Sequence, residues 1–130
     1  PTLRRQRQMC IRDSVRPAPV IRWKIVLSIF HRITGAGLTV STVLVVFWLA
    51  SLAMGEFTFK SFNIFLNNPL IILVLVCSLW ALWYHFCTGL RHLYWDMGYG
   101  YSLKSVTISG WIAVACSFLL TFLTVLFFVS

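Results

Sequence analysis

Three long apolar stretches set the pattern of hydrophobic and polar positions along this chain. They run from about Trp23 to Met54, from Pro69 to about Trp95, and from about Val106 to Val129. Each exceeds the roughly 20 apolar residues that a helix needs to cross the hydrocarbon core of a bilayer. The polar punctuation falls between them. Gly55 and Glu56 end the first stretch, and Asp96, Gly98 and Gly100 mark a turn after the second. Asn68-Pro69 is a helix-start signal, with Asn as the cap and Pro at the first helical position. Residues 57–67 (FTFKSFNIFLN) predict a short interfacial segment. The expected fold is an all-α integral membrane protein: three transmembrane helices, up-down-up, forming one membrane domain over residues 22–130 within a heteromeric helix bundle.

Composition agrees. Of 130 residues, 59% are hydrophobic and 11% charged, against about 25% charged in a soluble domain. A chain this short cannot hide so much apolar surface within itself, so lipid or other membrane subunits must cover it. The net charge is +8, and eight of the eleven Lys and Arg lie between Arg4 and Arg32. In a soluble protein such a charge would suggest nucleic acid. Here it reads as a positive-inside signal that contacts anionic headgroups. No nucleic-acid partner is expected. The N-terminus is placed on the cytoplasmic side of a bacterial inner membrane, in preference to the matrix side of a mitochondrial one. The first loop then lies on the far face, and the second returns near Arg91 and Lys104.

Residues 1–21 form a basic tail with Pro17 and Pro19, and two further spans after the first argue against a cleavable signal peptide. Within it, Arg5–Ser14 (RQRQMCIRDS) reads more like translated adapter sequence than native protein and carries no functional expectation. Cys10, Cys77, Cys87 and Cys116 have no CxxC spacing, so neither a disulfide framework nor a zinc site is expected.

Ionisable residues inside a membrane are expensive and mark candidate sites. There are two clusters. Ser28-Ile29-Phe30-His31-Arg32-Ile33-Thr34-Gly35 occupies the early turns of the first span, with Ser28 and Arg32 four apart on one broad face. His85, Gly89, His92 and Asp96 recur at spacings of four, three and four near the end of the second span, with Arg91 beside them. Arg32 lies about 15 Å along the helix from Arg22, and His85 about 16 Å from Asp96. The up-down topology therefore brings both clusters to similar depth.

A buried neutral imidazole suits haem iron. A glycine one turn away, Gly89, would let a flat macrocycle approach. Haem propionates need cationic or hydrogen-bonding partners, for which Arg32, His31, His92 and Arg91 are candidates. A quinone head group needs donors at an apolar, membrane-accessible pocket, which Ser28 and Arg32 could supply. Plainer roles compete. A membrane histidine can simply bond a neighbouring helix, Gly35 and Gly89 can serve helix packing, and Asp96 can cap a turn or pair with Arg91 or His92. Arg22, Lys24 and Lys104 read as snorkelling anchors, and Trp23, Trp48, Trp80, Trp83 and Trp95 as belt or packing residues. A haem-free structural anchor and a small transporter or channel subunit are the rival classes; against the second, the third span has no ionisable residue.

Residues 28–35, S-I-F-H-R-I-T-G, followed by H-x-x-x-G-x-R-H-x-x-x-D at 85–96, resemble the cytochrome b membrane-anchor subunits of succinate dehydrogenase, respiratory complex II. Arg16-Pro17 and Arg22-Trp23 resemble the approach to the first span, and the similarity extends over residues 16–130. One departure is that only Ala18 to Ile21 intervene where the family has a longer Ser-Pro-His element. The resemblance implies haem b with His85 as an axial iron ligand, His31 and His92 near the propionates, and Ser28 and Arg32 at the ubiquinone site. It implies proton delivery at Asp96. The implied partners are a second membrane-anchor subunit with the other haem ligand, an iron–sulfur subunit and a flavoprotein subunit. The chain would then be an electron-transfer subunit and no enzyme on its own. Sequence leaves the reaction's direction open, so a fumarate reductase anchor is an alternative.

Overall fold

The computed structural model describes the backbone of residues 19–130 and the side chains of residues 22–130. The tail readings at Cys10, Arg16-Pro17 and residues 5–14 lie outside the described residues. Four helices follow in order: α1 (Pro19–Ala53), α2 (Glu56–Leu66), α3 (Pro69–Asp96) and α4 (Leu103–Val129). Of these, α1, α3 and α4 are long and apolar enough to cross a membrane. The 32-residue span in α1 reaches about 48 Å at 1.5 Å per residue. That exceeds a hydrocarbon core of about 30 Å, so its first turns, with Arg22 and Lys24, have the length to reach the headgroups.

The helix boundaries have local causes. Asn68 Oδ1 accepts from Leu70 N–H at 3.0 Å, with Pro69 behind it, as the sequence predicts. Two starts come earlier than expected. α1 already begins at Pro19, whose missing N–H costs nothing in a first turn. α4 begins at Leu103 because Ser102 caps it, its Oγ accepting from Ser105 N–H at 3.2 Å. The interfacial segment is wound as α2, whose 11 residues are too few to span a bilayer. Its Lys60–Glu56 pair is 2.7 Å long and exposed, and such pairs contribute little.

α3 packs against both α1 and α4, and α1 also meets α4. The core is unlike that of a soluble bundle. α4 buries Val106, Gly110, Ala113, Ser117 and Thr121, a stripe of small residues. Large apolar side chains such as Val40, Leu73 and Phe122 stay outside. In lipid, apolar burial gives no drive for helix association, so close approach and hydrogen bonds take over. Gly110 makes the point: a Cβ there would sit 2.7 Å from Leu27 Cδ1 and 2.8 Å from Trp23 Nε1. Cross-helix bonds tie α1 to α3 (Ser41 to Ser78, 2.9 Å) and α3 to α4 (Trp83 Nε1 to Thr124, 3.1 Å).

Candidate functional site

The up-down arrangement brings the early turns of α1 beside the late turns of α3, and the two polar clusters meet there. The imidazoles of His31 and His85 stack with centroids 4.0 Å apart and planes 8° from parallel. His92 approaches the His31 ring edge-on, with centroids 5.2 Å apart. All three rings are half-buried.

Hydrogen bonds fix the stack. His85 Nδ1 lies 3.1 Å from the main-chain oxygen of His31. A carbonyl only accepts, so this nitrogen carries the proton. Thr34 Oγ1, at 3.5 Å, is a weaker second acceptor for it. His31 Nδ1 lies 2.6 Å from Thr88 Oγ1. The Thr88 hydroxyl donates to Tyr84 O at 2.7 Å and to His85 O at 3.2 Å. Its oxygen is thereby left to accept from His31. Tyr84 adds a third tie, its hydroxyl donating to Leu27 O at 3.2 Å. Thr34, Tyr84 and Thr88 are buried and were not singled out in the sequence. The available signal was spacing: Thr34 and Thr88 each follow a histidine by three residues, on the same helix face.

Close approach is permitted by Gly35 more than by Gly89. A Cβ on Gly35 would stand 3.0 Å from His85 Cε1 and 3.4 Å from Nδ1. On Gly89 it would meet only His31 Cε1, at an ordinary 4.0 Å. Gly89 thus lies beside the stack, but nothing among the described residues crowds it.

Arg91 is placed differently from its neighbours. It is 8% exposed and is held by α4: Nε donates to Ser109 Oγ and Nη2 to Val106 O, each at 2.9 Å. The guanidinium also lies 4.1 Å from the centre of the Trp95 ring. Ser28 and Arg32 lie elsewhere, lining an open cleft of about 370 Å³ together with Lys24, Ile25 and Ile29. Neither makes a hydrogen bond among the described residues, and Arg32 is exposed. Asp96 ends α3, exposed, and forms no ion pair among the described residues. The tryptophans pack as expected: Trp23 stacks on Trp111 at 4.7 Å, and Trp80 lies against Tyr84 and Phe118.

A three-helix membrane domain with stacked histidines where α1 meets α3, and an open, mostly apolar cleft on another face of α1, defines a membrane-anchor subunit of the cytochrome b kind. Comparison with known proteins gives the family. Residues 16–124 match the model of the succinate dehydrogenase/fumarate reductase transmembrane subunit family, and the chain belongs to that family. It is 42% identical over 97 residues to the succinate dehydrogenase cytochrome b556 subunit of Rickettsia felis, covering 75% of each chain. It is 36% identical over 103 residues to that of Paracoccus denitrificans, covering 79% of each. It is 34% identical over 107 residues to the cytochrome b560 subunit of Reclinomonas americana, covering 78% of this chain and 74% of that one. The chain is a membrane-anchor subunit of that family.

Proposed function

We propose that this chain holds haem b and ubiquinone as an anchor of succinate:quinone oxidoreductase. It receives electrons from the iron–sulfur subunit, which the flavoprotein subunit supplies. One observation carries the reading: His85 Nδ1 and His31 O stand 3.1 Å apart. With its proton fixed on Nδ1, the neutral ring keeps its Nε2 lone pair for iron, and a carbonyl at the other nitrogen is the usual support of a ligating histidine. The residues present fit the group. Gly35 leaves the ring room, and large apolar side chains cover the outer faces of the helices. Among the described residues no three His, Cys, Asp or Glu side chains converge as a ligand set. His85 would give the iron one nitrogen, and the second anchor subunit would supply the other.

Haem b would supply a one-electron store close to the quinone. The rest falls to side chains. His31, His92 and Arg32 would hold the propionates, while Arg91, already engaged by α4, would add positive charge at this end. Ser28 Oγ donates to a quinone oxygen and Arg32 polarises it, since both line the open cleft. Asp96, exposed at the end of α3, passes protons from the cytoplasmic face, where the basic N-terminus also lies. The relatives' succinate dehydrogenase names favour succinate oxidation over fumarate reduction.

The test is a reduced-minus-oxidised spectrum of the complex purified from membranes. His85→Ala should abolish the haem b band while the subunits still co-purify. An unchanged band in that variant removes the haem assignment and leaves a structural anchor.

A further inference from the structure

The Thr88 hydroxyl has no part in the assignments above, yet the residue is 1% exposed and its oxygen touches both members of the histidine pair. It has one hydrogen, which goes to the carbonyl oxygens of Tyr84 and His85 within its own helix, at 2.7 and 3.2 Å. Its lone pair therefore meets His31 Nδ1, at 2.6 Å. That contact crosses from α3 to α1 and fixes the rotation of the His31 ring. The His31 ring in turn covers one face of His85 at 4.0 Å, and the His31 carbonyl holds His85 Nδ1. Gly35 leaves that ring room on another side, where an added Cβ would stand 3.0 Å from Cε1.

We propose that Thr88 is a positioning residue that acts through His31 to set the plane of the His85 imidazole. Without the hydroxyl, the His31 ring loses its cross-helix acceptor and turns about its Cβ–Cγ bond, and the face it presents to His85 turns with it. The consequence for a metal rests on the haem reading above: the orientation of an axial imidazole plane is one of the levers by which the surroundings of a haem tune it. Thr88 would then shape the electronic structure of an iron that it never touches.

Two measurements test this. First, ¹⁵N spectra of the histidine-labelled, reduced complex should show His31 protonated at Nδ1 and hydrogen-bonded there. A ring protonated only at Nε2 overturns the proposal, with or without haem. Second, the low-spin haem electron paramagnetic resonance signal should shift in Thr88→Val at unchanged haem content, and return to the parent position in Thr88→Ser. An unmoved signal in Thr88→Val, or an equal shift in Thr88→Ser, overturns it. If Thr88→Val fails to assemble, the ¹⁵N result on the parent complex decides. A parent complex without haem counts against the haem reading alone, and the ¹⁵N result still judges the His31–Thr88 bond.

Discussion

His85 is held by His31 twice over, by the main chain and by the side chain. The His31 carbonyl oxygen lies 3.1 Å from His85 Nδ1, and the His31 ring lies 4.0 Å from the His85 ring in a near-parallel stack. One residue of α1 therefore fixes the tautomer and the plane of a histidine on α3. Such double support is what a metal-ligating imidazole needs: the proton parked on one nitrogen and the other left as a lone pair.

The two glycines of the polar clusters predict opposite behaviour. Gly35→Ala brings a methyl to 3.0 Å from His85 Cε1. The neighbour is a ring already held by a carbonyl and a stack, so it cannot yield freely. Haem retention should weaken on the order of tenfold, the usual scale for disturbing a ligand's support. Gly89→Ala places its methyl 4.0 Å from His31 Cε1, and no contact among the described residues opposes it. Haem per assembled complex, read from the pyridine haemochrome, should fall in the first variant. A fall in the second alone would mean that the macrocycle itself crowds Gly89, as sequence spacing suggests.

Arg91 is a staple between α3 and α4. Its two donors reach Ser109 Oγ and Val106 O at 2.9 Å, and its plane lies over Trp95. Lysine keeps the charge but has no planar fork for both acceptors and stacks less well. Arg91→Lys should therefore destabilise the complex by about 2 kcal/mol, and Ser109→Ala by about 1 kcal/mol. Thermal unfolding followed at the haem band measures both. Equal melting in Arg91→Lys and the parent would mean that the guanidinium geometry contributes nothing.

Much of the fold was legible because membrane physics leaves few options. Runs of apolar residues from Trp23, Pro69 and Val106 had to be spanning helices, and Asn68-Pro69 signalled its own cap. The first turn of α4 was missed because Ser102 reads as a loop residue until its Oγ is seen to accept from Ser105 N–H. At the site, His31, His85 and His92 stood out because ionisable groups are costly in lipid. Thr34 and Thr88 did not, because threonines in membrane helices mostly bond their own backbone. Here they do that as well, and it is the spare lone pair that reaches the histidines. The commitment of Arg91 to α4 was equally hidden, since its partner at Val106 is a main-chain oxygen with no side-chain signature.

Gly110 predicts a packing effect whose contacts include no histidine. A methyl there would meet Leu27 Cδ1 at 2.7 Å and Trp23 Nε1 at 2.8 Å, and Trp23 is stacked on Trp111. Overpacking of this kind costs about 1–3 kcal/mol. Gly110→Ala should lower the melting temperature without moving the haem spectrum. Leu27→Ala makes room on one side, so the double variant should lose less stability than the two single losses summed. Strict additivity would place the strain on Trp23 alone.

The cleft and the histidine stack use different faces of α1, and this separates their mutants. Ser28 and Arg32 line the open cleft with Lys24, Ile25 and Ile29, whereas His31 and Thr34 turn toward α3. Ser28→Ala removes one neutral donor, a loss of about 1 kcal/mol that corresponds to a several-fold rise in the KM for ubiquinone. Arg32→Leu removes a charged donor and should cost more, and Arg32→Lys should recover part of it, because charge is restored without the fork. If Arg32 also holds a propionate, Arg32→Leu should shift the haem potential while Ser28→Ala leaves it alone. Steady-state quinone reduction and a redox titration on the same preparations distinguish the two roles. Unchanged quinone kinetics in both Ser28→Ala and Arg32→Leu would sink the assignment of this cleft to the quinone.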